Sequence, residues 1–425
     1  MAARPRSGAT RTGRTVKARF WIPPIPLAAG MGFQCLAWCL VLMHAARPSF
    51  GLELAWIHAV ALGWLTLTAL AVLLHVIPGF TDLTWRAEGL ARGAVLAVAV
   101  GSLALVISFA AGATRGVAAA GALLAAAIVL YALPAVWTLT EAAPDRRSAT
   151  IARGLALTVG VLAATAILGA VLASSFAAGN PSVLSAAPSH AVLGIVGWLT
   201  VLAAGVSART FRPLLGARSR WPRAHALAGA GLLVGSVVAA TAAPWSAPLL
   251  RLGIIVAAAG ALTFAADAAD ILRRSKGPHA AARAFVMASV VWLILAAALA
   301  VCASWGVPVG RAAVVVALAG WLGQMVNAHL HHLGVRVVAT YIISEDDETR
   351  PLVLLEHRLS WLAFATAQLA VGSVALRSEG APASFAWLGG GAGLVAVSAM
   401  ALNAVVVVRR ARRLRCTIIP FVAAR

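Results

Sequence analysis

Twelve long apolar runs follow one another along the chain, and they restrict what it can fold into. Each run reaches about 18 residues or more, the length at which an apolar segment spans a bilayer as a helix. Only 11% of the residues are charged, against ~25% in an average soluble protein. In lipid the backbone must satisfy its own hydrogen bonds, so such runs form helices. We therefore expect an all-α, polytopic membrane protein with the lipid bilayer as its main partner.

The loops between the runs alternate in basic charge. The spans fall roughly at residues 22–46, 51–78, 88–112, 115–140, 150–178, 186–208, 224–243, 248–272, 284–306, 311–340, 358–376 and 383–408. The loops on one side hold only five of the 34 Lys and Arg residues, namely Arg47, Arg115, Arg251, Arg311 and Arg377. Because Lys and Arg concentrate in cytoplasmic loops, this alternation predicts twelve spans with both termini in the cytoplasm of a bacterial-type inner membrane.

The net charge of +21 belongs to these loops and to two basic tails, not to a folded basic surface. The tails cover residues 1–20 and 409–425, and they flank a single transmembrane domain at 21–408. Arginine-rich tails suit an anionic membrane surface, so we exclude nucleic acid as a partner.

A Gly-Trp pair recurs in three even-numbered spans. The pairs are Gly63-Trp64, Gly197-Trp198 and Gly320-Trp321. They lie about four spans apart, and their three helices run in the same direction. This spacing predicts three pseudo-symmetric four-helix units, roughly 21–140, 150–272 and 284–408, arranged as a ring. The alternative is chance, because Gly and Trp are frequent in this chain.

Two of these spans carry a histidine shortly before the Gly-Trp pair. His58 opens HAVALGW in span 2, and His190 stands in SHAVLGIVGW of span 6. Both fall near the outer ends of their helices, so neighbouring spans would bring the two rings to a similar depth. Ionisable side chains within membranes usually face the protein interior. Neutral imidazole binds both haem iron and copper, so we expect this pair to hold haem b, copper or both.

Other candidate metal ligands lie elsewhere in the spans. His75 ends span 2, and His329 and His331 lie in NAHLHHLG at the inner part of span 10. Cys35 and Cys39 belong to a stripe of sulfur ligands on span 1 that would suit Cu(I). Headgroup contact and ordinary core packing are the alternatives for these two groups. The remaining histidines near loops are expected to be solvated, and they are His44, His225, His279 and His357.

These features resemble the haem-copper oxidase subunit I superfamily. HAVALGW is similar to that family's histidine-to-Gly-Trp pattern, and SHAVLGIVGW looks like span 6 of small subunit I-like and NnrS-type proteins. GWLGQMVNAHLHHLG and LLEHRLSWLAF look like later parts of the same small proteins. The resemblance implies an axial haem ligand at His58 and a copper ligand at His190.

The chain departs from this family at several ligand positions. The family has a His-x-His pair on the outer half of span 10, where this chain has Ala312 to Val316. The paired histidines after span 7, the catalytic tyrosine and the channel lysine are also missing. These departures argue against oxygen reduction and leave haem or copper binding open.

Three functions are compatible with the sequence. The first is a redox or metal-handling protein on an oxidase-like scaffold, with an electron donor or a metallochaperone as partner. The second is a transporter or channel for a small solute, which would divide into two halves of six spans. The third is a non-catalytic membrane scaffold that has lost its metal site.

Overall fold

The protein is all-helical in the residues that a computed structural model describes, which are 24–141, 145–277, 279–342 and 351–422. Within these described ranges, twelve helices are long and apolar enough to cross a membrane. They are α1 (Ile25–Ala46), α2 (Phe50–Thr81), α3 (Glu88–Ala110), α4 (Thr114–Leu139), α5 (Ser148–Ala177), α6 (Ala187–Leu215), α7 (Pro222–Ala242), α8 (Ala247–Arg273), α9 (Ala280–Ser304), α10 (Gly310–Gly334), α11 (His357–Ser378) and α12 (Ser384–Leu414). This confirms the predicted fold class, and the basic tail at 1–20 lies outside the described residues.

The helix bounds agree with the apolar runs except where a helix continues past its run. Helix α6 ends at Leu215 rather than near residue 208. The helix that contains α12 continues to Val422, into the predicted basic tail. Long arginine side chains can reach polar surroundings from a helix that still lies in the interface, so a basic residue does not end the helix.

Neighbouring helices pack closely where small residues face each other. Helices α7 and α8 form the most extensive pair, and Gly235 and Gly253 lie at their contact. A Cβ atom on Gly235 would lie only 2.4 Å from the backbone nitrogen of Ala257. Helices α1 and α12 also pack together, with the Trp38 ring against Gly393. The first and last spans are therefore neighbours.

Helices α2, α6 and α10 contact one another through π-helical segments. The segments are Ala59–Thr66, Leu193–Thr200 and Val316–Leu322, and each contains one Gly-Trp pair. Such wide turns displace the helix backbone and occur frequently at functional sites. The three Gly-Trp pairs therefore mark the common centre of the helix bundle.

The tryptophans link these central helices in sequence order. Trp198 Nε1 donates to Thr66 Oγ1 at 3.0 Å, and Trp321 Nε1 donates to Thr200 Oγ1 at 3.1 Å. The third tryptophan, Trp64, packs against Gly323. These contacts are consistent with three equivalent units, and the threefold symmetry itself stays a prediction.

Cavities lie beside the central helices. A cavity of about 450 Å³ lies between α2 and α10, and its walls include Glu53, Arg311 and Arg377. An apolar cavity of about 160 Å³ lies between α6 and α10. His58 of α2 and His190 of α6 line none of these cavities, and their rings face each other across the contact between the two helices. We call the end of the bundle where α1 begins the arginine-rich end, and the opposite end the arginine-poor end.

Candidate histidine pair between α2 and α6

His58 lies on α2 about 12 Å below the arginine-poor end, eight residues after the helix begins at Phe50. Ser49 is the N-cap of this helix, because its hydroxyl accepts a hydrogen bond from the backbone N–H of Leu52 at 3.2 Å. The His58 Nδ1 atom donates to the Leu54 carbonyl at 2.8 Å. This bond fixes the tautomer and leaves the Nε2 lone pair free to bind a ligand.

His190 lies within the first turn of α6, at the same end of the molecule. Its Nδ1 atom donates to the Thr165 carbonyl of α5 at 3.1 Å. Gly169, one turn further along α5, lets the ring approach, because a Cβ atom there would lie 2.8 Å from His190 Cε1. Helix α5 therefore both orients the His190 ring and leaves room for it.

The structure brings the two rings together, as the sequence predicts. Their centroids lie 6.4 Å apart, and the ring planes differ by 21°. Phe109 of α3 packs beside His58 at a centroid distance of 5.0 Å. Within the described residues neither Nε2 atom makes a hydrogen bond, since only the Nδ1 atoms are engaged. The pair thus offers two oriented lone pairs in apolar surroundings.

The ring separation fits a single bound metal ion. Two metal–nitrogen bonds of about 2 Å, together with the radii of the rings, correspond to a centroid separation of roughly 6 Å. In the described part of the chain, no group of three or more His, Cys, Asp or Glu side chains converges on one point. The protein therefore supplies two ligands here, which excludes a closed four-ligand zinc site.

A porphyrin bound between the rings would extend well beyond them in its own plane. Helices α2 and α6 contact each other eight residues past each histidine, about 12 Å further along, where Trp198 bonds to Thr66. This contact would limit how far a haem could extend toward the centre of the bundle.

The other predicted ligands do not join this pair. His329 uses both ring nitrogens, because Nδ1 bonds to the Met325 carbonyl at 2.8 Å and Nε2 bonds to Thr210 Oγ1 at 2.7 Å. His331 Nδ1 donates to the Asn327 carbonyl at 2.8 Å, and His331 is buried near the arginine-rich end.

The remaining predicted ligands are also separate from the histidine pair. His75 lies 17 residues beyond His58 on α2, which places it about 25 Å deeper. Cys35 and Cys39 are half-buried, one turn apart on α1. Metal binding by these three residues stays a prediction.

Two histidines that the sequence predicts to be solvated are withdrawn from solvent instead, His279 fully and His225 with its side chain 10% exposed. His225 bonds through Nδ1 to Asp267 at 2.7 Å and through Nε2 to the Ala204 carbonyl at 3.0 Å. Ser219 donates to the other oxygen of the same carboxylate at 2.6 Å. His279 is also buried, 4% exposed. The prediction was wrong because loop proximity does not show which side chains fold back against the helix ends.

The charged groups at the arginine-rich end have two distinct environments. Arg410 donates to the Glu356 carboxylate at 2.6 Å, and this bond lowers the pKa of Glu356. His279 has no acidic partner within the described residues, and burial lowers its pKa to about 4, assisted by the nearby charges of His331, His357 and Arg336. The His279 imidazole is therefore neutral at pH 7.

The residues that support the histidine pair were not found from the sequence. Thr165 and Gly169 act from α5, and Phe109 acts from α3. Thr165 contributes only its backbone carbonyl, which any residue carries. No local motif could have identified these three residues.

No protein-family model matches the chain. No curated protein is similar to it at a significant level either. The resemblance to the haem-copper oxidase superfamily therefore stays a prediction from short motifs.

Proposed function

We propose that this membrane protein binds one copper ion, as Cu(I), between His58 and His190 and serves in copper handling. The observation that carries the proposal is the approach of the two oriented rings to 6.4 Å. Two neutral imidazoles without a carboxylate suit a singly charged ion of low coordination number. Cu(II) prefers four ligands in a tetragonal arrangement, so this ligand set favours the reduced ion.

The protein groups around the pair have definite tasks in this proposal. The Leu54 and Thr165 carbonyls accept the Nδ1 hydrogens, which orients the rings and makes both Nε2 atoms better donors of electron density. Phe109 of α3 covers the His58 ring on its apolar side, with ring centroids 5.0 Å apart. A bound copper ion would exchange its ligands reversibly. A metallochaperone would reach the ion from the arginine-poor end.

A titration with Cu(I) in detergent tests the proposal. We expect the purified protein to bind Cu(I) in competition with a Cu(I)-specific chelator, with one ion per chain. An absorption spectrum of the same sample distinguishes the second candidate, a haem b held by both imidazoles. A Soret band with no bound copper would replace the copper proposal by the haem proposal. If the sample shows neither bound copper nor a Soret band, both proposals are wrong.

Replacing Gly169 by alanine should disturb the pair without removing a ligand. The new methyl group would lie 2.8 Å from His190 Cε1, so the ring must turn away from its present orientation. We expect Cu(I) affinity to fall by about 10–100-fold, the usual effect of losing ligand orientation. Competition titration measures this change.

Gly160→Ala is the matched control on the same helix. A Cβ atom at Gly160 meets no atom within 4 Å, so copper affinity should not change. Equal loss of affinity in both variants would show that α5 acts through general destabilisation rather than through His190.

A further inference from the structure

A second pair of histidines meets at the arginine-rich end. His332 lies near the end of α10, and His279 is the residue immediately before α9 begins. Both residues are 4% exposed. Their ring centroids are 5.9 Å apart, and the ring planes stand at 86° to each other. The two rings therefore lie close together in a buried position between α9 and α10.

Three of the four ring nitrogens in this pair have no hydrogen-bond partner within the described residues. They are both nitrogens of His332 and Nε2 of His279. Buried polar atoms are almost always hydrogen-bonded, because an unpaired one loses its water without compensation. By contrast, His225 and His329 each use both ring nitrogens. The unpartnered nitrogens thus mark a place where a ligand would be stabilised.

The spacing of the rings suits a single ion. With metal–nitrogen bonds of about 2 Å, two imidazoles that share an ion in a bent arrangement have centroids roughly 5–6 Å apart. His332 also lies in a second π-helical segment of α10, Leu330–Gly334, a distortion that is frequent at functional sites. His331 does not share this role, because its ring packs on Phe285 with centroids 5.1 Å apart.

We propose that His279 and His332 bind a divalent transition-metal ion of the Zn²⁺ class at the arginine-rich end. Imidazole is a preferred ligand of such ions. Because no third His, Cys, Asp or Glu of the described chain converges there, water must complete the coordination. This site is independent of the copper proposal, since it uses other residues at the opposite end.

Arg336 determines how tightly this site binds. It lies one turn beyond His332 and is exposed, and its charge acts on both histidines. A positive charge at this distance opposes a divalent cation, so binding is weakened and reversible. Removing this charge therefore tests metal binding, because Zn²⁺ affinity would not respond to it if the histidines had only a structural role.

Zn²⁺ and Co²⁺ titrations test the proposal in the His58→Ala/His190→Ala double variant, which removes the copper site. We expect one Zn²⁺ per chain and a Co²⁺ absorption band typical of nitrogen ligands. Adding His279→Ala or His332→Phe should weaken binding by more than about 100-fold, because a ligand is lost rather than merely reoriented. His44→Ala, at the arginine-poor end, is the control and should leave binding unchanged.

Arg336→Gln keeps both ligands and is expected to tighten Zn²⁺ binding by at least about threefold, with a smaller effect at high salt. This result supports the proposal even if an alanine variant fails to fold. Absence of Zn²⁺ binding, or binding that is unchanged in His279→Ala and His332→Phe, would show that the unpartnered nitrogens contact water only.

Discussion

Alanine at either His58 or His190 is expected to weaken Cu(I) binding by more than about 100-fold. Each substitution removes one of only two ligands, whereas loss of ligand orientation alone costs about 10–100-fold. No neighbouring side chain can replace the missing ring, because no third metal-binding group converges within the described residues. Competition with a Cu(I) chelator, at matched protein concentration in one detergent, measures the change.

His329→Ala is the control for this experiment. Its ring is also buried in a span, but both of its nitrogens are already bonded to Met325 and Thr210. We expect Cu(I) affinity to stay within error of the wild type. If the His58 and His190 variants also keep wild-type affinity, copper is bound elsewhere and the assignment is wrong.

Asp267→Asn is expected to destabilise the folded protein by about 1–3 kcal/mol, the usual cost of leaving a buried polar group without its partner. The Asp267 side chain is fully buried and bonds through its two oxygens to His225 at 2.7 Å and to Ser219 at 2.6 Å. Asparagine would replace one of these oxygens by an amide group, so one of the two buried bonds would be lost. Denaturant unfolding in detergent, followed by tryptophan fluorescence, measures the loss.

Two further variants separate this effect from general sensitivity to mutation. His225→Phe combined with Asp267→Leu removes both polar side chains and should recover most of the stability, because neither member of the pair is left buried without its partner. Arg92→Gln removes an exposed ion pair with Glu88 and should have no measurable effect. If Asp267→Asn is as stable as the wild type, the buried bonds of Asp267 to His225 and Ser219 contribute nothing to stability.

The histidine pair shows how far local sequence can predict a membrane site. His58 and His190 were found because each precedes a Gly-Trp pair at a similar depth, and helical rise converts sequence offset into depth. Their partners were not found, because Thr165 acts through a backbone carbonyl on another helix. The His279–His332 pair was missed for a related reason, since His279 lies in a loop that folds back against α10.

The sequence alone determined the helical class, the twelve spans and the similar level of His58 and His190 in their helices, because lipid forces every apolar run to satisfy its backbone internally as a helix. Only the tertiary structure decided which rings meet and which nitrogens remain free. Those outcomes depend on the rotation and neighbours of each helix, which are set by packing between distant segments. His225 is the clearest case, because its partner Asp267 lies on a different helix and no feature near His225 in the chain indicates it.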